Sequence, residues 1–149
     1  MIYDNEPNAN EIIENLWLGN HYASQDKEFI EKYNIKIIIN CAKDFPNYFE
    51  NSDIIYYNLQ IKDDINGAQI IEKNINQINY LINTALENKN GILIHCKAGH
   101  TRSANIVALY LYHKNFYSHI DSVNFVRSIR AYSLKRKSKI LNYFLLKYN

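Results

Sequence analysis

The order of apolar runs predicts a single α/β domain with a central, mostly parallel sheet flanked by helices. Three stretches carry this expectation. Ile35-Lys36-Ile37-Ile38-Ile39 is a β-branched run suited to a strand covered on both faces. Ile71, Ile75, Ile78, Ile82 and Ala85 recur at the three-to-four spacing of an amphipathic helix. Gly91 then leads into a second buried run, Ile92-Leu93-Ile94, so strand, helix and strand follow in the order of a right-handed crossover. With 149 residues, the chain is long enough to fold as one domain, 1–149, around its own core.

Taken in order, residues 12–20 (IIENLWLGN) end in a short apolar strand closed by Gly19. Ser24, with Glu28 four residues on, is placed to cap a helix with Phe29, Ile30 and Tyr33 on its apolar side; Asn34 ends it. After the 35–39 strand comes Cys41, and then a second strand over 54–61, IIYYNLQI, followed by Lys62-Asp63-Asp64. The amphipathic helix covers 68–88. The helix from Ser103 to about Lys114 is apolar on nearly every side and is expected at the centre. Ser118 and Asp121 form a variant capping box for a helix to about Arg130, and a last helix covers roughly 136–147. No repeat, linker or low-complexity segment interrupts this order.

Composition narrows the setting. Apolar residues make up 47% and charged residues 21%, ordinary for a globular protein, and a net charge of +2 is too small by itself to imply nucleic acid. The excess of Asn, Ile, Lys and Tyr looks like the drift of an AT-rich genome, so the 13 tyrosines carry no functional weight. Two cysteines argue for a reducing compartment and against a disulfide scaffold. The opening MIYDNEPNANEIIEN, with four acidic residues and no arginine, does not read as a secretory or mitochondrial leader. No apolar run approaches membrane-spanning length, so the expectation is a soluble, cytoplasmic protein without stable membrane insertion.

Residues 92–105, ILIHCKAGHTRSAN, concentrate the chemistry. A strand, a short loop and a helix N-terminus gather backbone N–H groups and the positive end of a helix dipole around one point, which suits a phosphate-sized anion. Lys97, Ala98, Gly99, His100, Thr101 and Arg102 would supply that cradle. The same groups favour the thiolate of Cys96, and Arg102 adds a planar fork for two phosphate oxygens. Nucleophile, cradle and fork are the parts needed for phosphoryl transfer to sulfur, with no metal and no cofactor required.

His95-Cys96-x-x-Gly99-x-x-Arg102-Ser103 resembles the signature of the cysteine-dependent protein tyrosine phosphatases, and its Arg-Ser ending looks most like the dual-specificity branch. The resemblance implies a phosphatase-type fold and hydrolysis of phosphotyrosine, phosphoserine and phosphothreonine on a phosphorylated protein substrate, through a phosphocysteine at Cys96. It implies that Ser103 steadies the leaving thiolate. A general acid is expected on the loop after the second strand, where Asp63 takes the family position with Asp64 as its rival; helix capping accounts for one of the two. His95, on the buried strand, reads as a structural hydrogen-bonder. Lys97 and His100 would enrich positive charge at the mouth unless they point to solvent.

Two departures point elsewhere in the superfamily. Arg130-Ala131 and Leu134-Lys135 replace the usual Arg-Pro and Pro-Asn, removing an asparagine that braces the loop. The basic segment 127–139, RSIRAYSLKRKSK, is either a solvated helix end or a face for acidic phospholipid or phosphorylated RNA. Cys41, in IIINCAKD, resembles a cysteine of lipid-directed relatives that can pair with the nucleophile; a buried inert thiol is the other reading. Phosphoinositide or RNA 5′-phosphate hydrolysis and a non-catalytic phosphate-binding module are the competing functions.

Overall fold

The structure, a computed structural model, describes residues 5–148. Residues 1–4, the start of the acidic N-terminal stretch, lie outside the described residues, as does 149. Strands β1 (Ala9–Ile13), β2 (Leu16–Gly19), β3 (Ile35–Asn40), β4 (Ile55–Asn58) and β5 (Gly91–His95) form one 5-stranded sheet in the order β1-β2-β5-β3-β4. β1 runs antiparallel to β2, and the other pairs are parallel. The helices are α1 (Lys27–Lys32), α2 (Ile65–Glu87), α3 (Arg102–His113), α4 (His119–Ile129) and α5 (Lys139–Tyr148).

Alternation along the strands divides the core between two faces. Leu16, Leu18, Ile37, Ile39, Ile92 and Ile94 join the large cluster that also takes residues from α2, α3, α4 and α5. Trp17, Ile35, Ile38 and Leu93 face the other way, against Ile30 of α1 and Ala23. α3 is buried from Ser103 to Leu111, as its all-round apolar sequence predicts. At the carboxyl edge, Gly19 and Asn40 both register with His95, so three parallel strands end level just before Cys96. Such an edge is where open α/β sheets place ligands.

Several boundaries differ from the sequence reading, each for a local reason. Asp26, not Ser24, caps α1, its carboxylate accepting from Phe29 N at 3.2 Å. The Ser24 hydroxyl instead donates to the His21 carbonyl inside a 3-10 turn, Ala23–Gln25. The second strand stops at Asn58; Gln60 then takes a positive φ of 52°, and Ile61 N donates to Cys41 O just past the end of β3. α2 begins earlier than Ala68, since Asp64 caps it by accepting from Gly67 N at 2.7 Å. α5 begins at Lys139, where Ser138 Oγ accepts from Leu141 N. Residues 9–13, ANEII, form the separate strand β1, which pairs antiparallel with β2.

Gly67 is required by space. A Cβ there would stand 2.0 Å from the Lys62 carbonyl oxygen, at the entry to the Asp63 loop. Alanine would gain about 1 kcal/mol of helix propensity, but overpacking against backbone costs about 1–3 kcal/mol. Gly67→Ala is therefore expected to lower the urea midpoint; an unchanged or raised midpoint would refute the clash.

Candidate active site

The end of β5 and the start of α3 bring the sequence-predicted loop together as a ring. Its geometry follows from where the carbonyls go. His95 Nδ1 lies 3.2 Å from the Cys96 carbonyl, and Lys97 O accepts from His21 N at 3.1 Å. Ala98 O and Gly99 O each accept from the Arg130 guanidinium at 3.0 Å, and His100 O accepts from Leu134 N at 2.7 Å. Thr101 O accepts from Asn105 N at 2.9 Å, the first bond of the helix. A trans peptide points its N–H opposite to its C=O. Fixing successive carbonyls on the outside therefore aims the N–H groups of Lys97 through Arg102 inward.

Gly99 sits where two backbones meet. It has a φ of 74°, and a Cβ on it would lie 2.5 Å from Gly19 C and O. Gly19 in turn has no room, because its own Cβ would stand 2.7 Å from Asn8 O. The loop thus rests directly on the end of β2, main chain against main chain.

Cys96 is 2% exposed, with Sγ 3.1 Å from Ser103 Oγ and accepting from Gly99 N at 3.3 Å. Burial pushes its thiol up, but the Ser103 hydroxyl and N–H, Arg102 and the Gly99 N–H together outweigh burial and bring it below the ordinary thiol value. Cys41, the second free thiol, is fully buried at the end of β3. Burial first, and then Cys96, push Cys41 well up, so it stays protonated. His95, 1% exposed, is lowered to about 4, chiefly by burial, and is therefore neutral near pH 7.

Arg102 Nη1 donates to Ile61 O at 3.1 Å, tying the fork to the chain two residues before Asp63. Lys62, Asp63, Cys96, Lys97, Ala98, His100, Thr101 and Arg102 line one pocket. Asp63 is held there through Oδ1, which accepts from Ser138 Oγ and Ile140 N, each at 3.0 Å. Asp64 is turned away as the cap of α2. Asp63, which the sequence reading preferred, and its rival Asp64 thus occupy distinct places, and Asp63 is the one that lines the pocket.

Two expectations need correction. Arg130 does not belong to a basic surface: it is 1% exposed, its guanidinium donates to Gly99 O, Pro7 O, Asn10 Oδ1 and Ala98 O, and Glu6 Oε1 lies 3.0 Å from its Nη2. His100 does not extend its Nε2 into the mouth: that atom lies 2.6 Å from Glu6 Oε1 in a largely buried pair. Sequence reasoning missed Glu6 and Ser138, and gave Arg130 no role behind the loop. An arginine on the turn after an amphipathic helix looks the same in sequence whether it faces solvent or the core.

The residues from Leu16 to Phe144 match the family model described as the dual specificity phosphatase catalytic domain. The chain belongs to the dual specificity phosphatase family. It is 32% identical over 118 residues to human dual specificity protein phosphatase 9, covering 78% of this chain and 30% of that protein. The chain thus spans about a third of that relative's length or less. A protein of Invertebrate iridescent virus 6 named as a tyrosine phosphatase is 32% identical over 120 residues, covering 80% of this chain and 78% of the viral one. Among solved structures, human DUSP28 superposes with a TM-score of 0.82 at 19% identity, covering 95% of this chain and 93% of that one, a likeness of fold. The α/β architecture expected from the sequence is that of this family.

The lowered thiol has a measurable signature. Thiolate forms above the folded-state pKa, so iodoacetamide is expected to label Cys96 at pH values where an ordinary cysteine is still protonated. Ser103→Ala removes one of the groups that lower the thiol, so its labelling curve should move to higher pH. Coincident curves for the two proteins would show that Ser103 does not favour the thiolate.

Proposed function

We propose that the chain hydrolyses phosphomonoesters on proteins (phosphotyrosine, and phosphoserine or phosphothreonine) through a phosphocysteine at Cys96. The observation that carries this reading is the position of Cys96 Sγ beside Ser103 Oγ and Gly99 N at the centre of the inward N–H ring. The thiolate attacks phosphorus in line with the ester oxygen, forming an S–P bond as the P–O bond breaks. The N–H groups of Lys97 to Arg102 and the Arg102 fork hold the equatorial oxygens as charge develops. Asp63 gives its proton to the leaving oxygen. Water then attacks the phosphocysteine, Asp63 takes the water's proton, and Ser103 donates a hydrogen bond to the departing thiolate. The ring and the guanidinium supply the positive field, so these residues suffice for the step without a metal ion.

The reading favours a protein working inside the cell, where a nucleophilic thiol stays reduced. No described helix is long and apolar enough to cross a membrane. A second substrate reading has its own observation. Ala98, His100 and Thr101 of the loop also line a groove with Arg127, Tyr132, Lys135, Arg136 and Lys137, and no carboxylate is among them. Lys135, Arg136 and Lys137 are exposed, and none is ion-paired among the described residues. A substrate with a further anionic group beside the scissile phosphate, whether phosphopeptide, phosphoinositide or phosphorylated RNA, would gain there.

Turnover of 4-nitrophenyl phosphate tests the chemistry. Cys96→Ser should lower it about a thousandfold or more, and activity that survives would reject the covalent route. Asp63→Asn should cost about a hundredfold or more on an alkyl phosphate and much less on the nitrophenyl ester, whose leaving group needs no proton. Equal losses on both would remove Asp63 as the acid.

The groove is tested separately, with a panel of singly and doubly phosphorylated peptides, phosphoinositides and triphosphorylated RNA. Lys135→Glu combined with Lys137→Glu should raise KM more for multiply charged substrates than for singly charged ones. A uniform change across the panel would leave the groove without a role in selection.

A further inference from the structure

The carbonyls of Ala98 and Gly99 are held by Arg130, and Arg130 is held in turn by the chain's N-terminal segment. Its Nη1 donates to Pro7 O and to Asn10 Oδ1, each at 2.8 Å. Its Nη2 stands 3.0 Å from Glu6 Oε1, and the same oxygen lies 2.6 Å from His100 Nε2. Glu6 therefore joins a side chain of the phosphate loop to the arginine that orients the loop's peptide planes. Asn8 anchors this segment to the end of β2: its O and Oδ1 accept from Asn20 N and Nδ2, each at 2.9 Å.

We infer that Glu6 is a positioning residue for the proposed reaction, fixing the phosphate loop through His100 and Arg130. The inference rests on the phosphatase reading above. The family match begins at residue 16, so this strap comes from a stretch the match does not reach. Three physical points support it. The guanidinium is buried, and burial makes an unpaired charge costly, so a nearby carboxylate is required to keep it in place. Both partners of Glu6 Oε1 touch the loop, one as a member and one through its carbonyls. Glu6 is itself held in place, because Asn8, two residues on, is anchored to the end of β2 through Asn20.

The effect should appear in the fit of the ring to a tetrahedral or bipyramidal oxyanion. Small displacements of donor groups cost rate far more than they cost ground-state binding. Glu6→Ala should lower kcat for 4-nitrophenyl phosphate about tenfold or more and weaken inhibition by sodium tungstate by a similar factor, with KM moving less. Glu6→Asp keeps the charge but withdraws it by one methylene, and should show the same pattern to a smaller degree. Both are measured on folded protein, with the melting temperature recorded alongside.

A lowered melting temperature with kcat and tungstate inhibition unchanged in the folded variants would overturn the inference. Should Glu6→Ala fail to fold, Glu6→Asp with wild-type kcat and tungstate inhibition overturns it equally. The underlying reading fails differently, through a wild-type chain that neither turns over phosphoesters nor protects Cys96 from iodoacetamide in the presence of tungstate.

Discussion

The site depends on the direction of a few peptide planes. Between Cys96 and Thr101 each carbonyl has a partner outside the ring, supplied by His95, His21, Arg130, Leu134 or Asn105. Because N–H and C=O oppose each other across a peptide, that outer set of contacts determines what the inside presents. Buried polar groups left without partners are costly, so a ring of converging N–H groups requires that the outward half be satisfied. The sheet edge, α4 and the turn after it, and the N-terminal segment all converge on this loop for that reason.

The same environment treats the two thiols in opposite ways. Cys96 and Cys41 are both buried, and burial alone would hold both protonated. Cys96 has Ser103, Gly99 N–H and Arg102 around it, and these outweigh desolvation. Cys41 has the same arginine acting on it, but it also feels Cys96, and its thiol stays high. What separates the lowered thiol from the raised one is therefore a few directed hydrogen bonds, placed by the turn from β5 into α3. His95 follows the same logic: burial keeps it neutral, which suits a hydrogen bond behind the loop better than proton transfer within it.

Much of this was legible in the sequence, because local pattern and tertiary role coincide there. The β-branched run 35–39, the amphipathic periodicity of α2 and the apolar α3 each state their own burial. The spacing from Cys96 to Arg102 states a strand-loop-helix turn. The sequence pattern places the α1 cap at Ser24, where Asp26 serves, and prefers Asp63 with Asp64 as its rival. A local bond from Phe29 N places the Asp26 cap, whereas a tertiary contact places Asp63, since Ser138 Oγ and Ile140 N take its carboxylate and Asp64 caps α2. The Glu6–His100–Arg130 group was invisible for a different reason. Its members lie far apart in the chain, and each, taken alone, is an ordinary charged residue of a polar stretch.

The stacking of Gly99 on Gly19, and of Gly19 on Asn8 O, has a consequence for how the loop is seated. Side chains can change rotamer, and a pocket shaped by them breathes with temperature. Behind the loop, the support is made of peptide atoms, whose radii and bond lengths do not vary with residue type or rotamer. The seat of the loop on β2 is accordingly gauged by covalent geometry, whatever side chains stand around the rim.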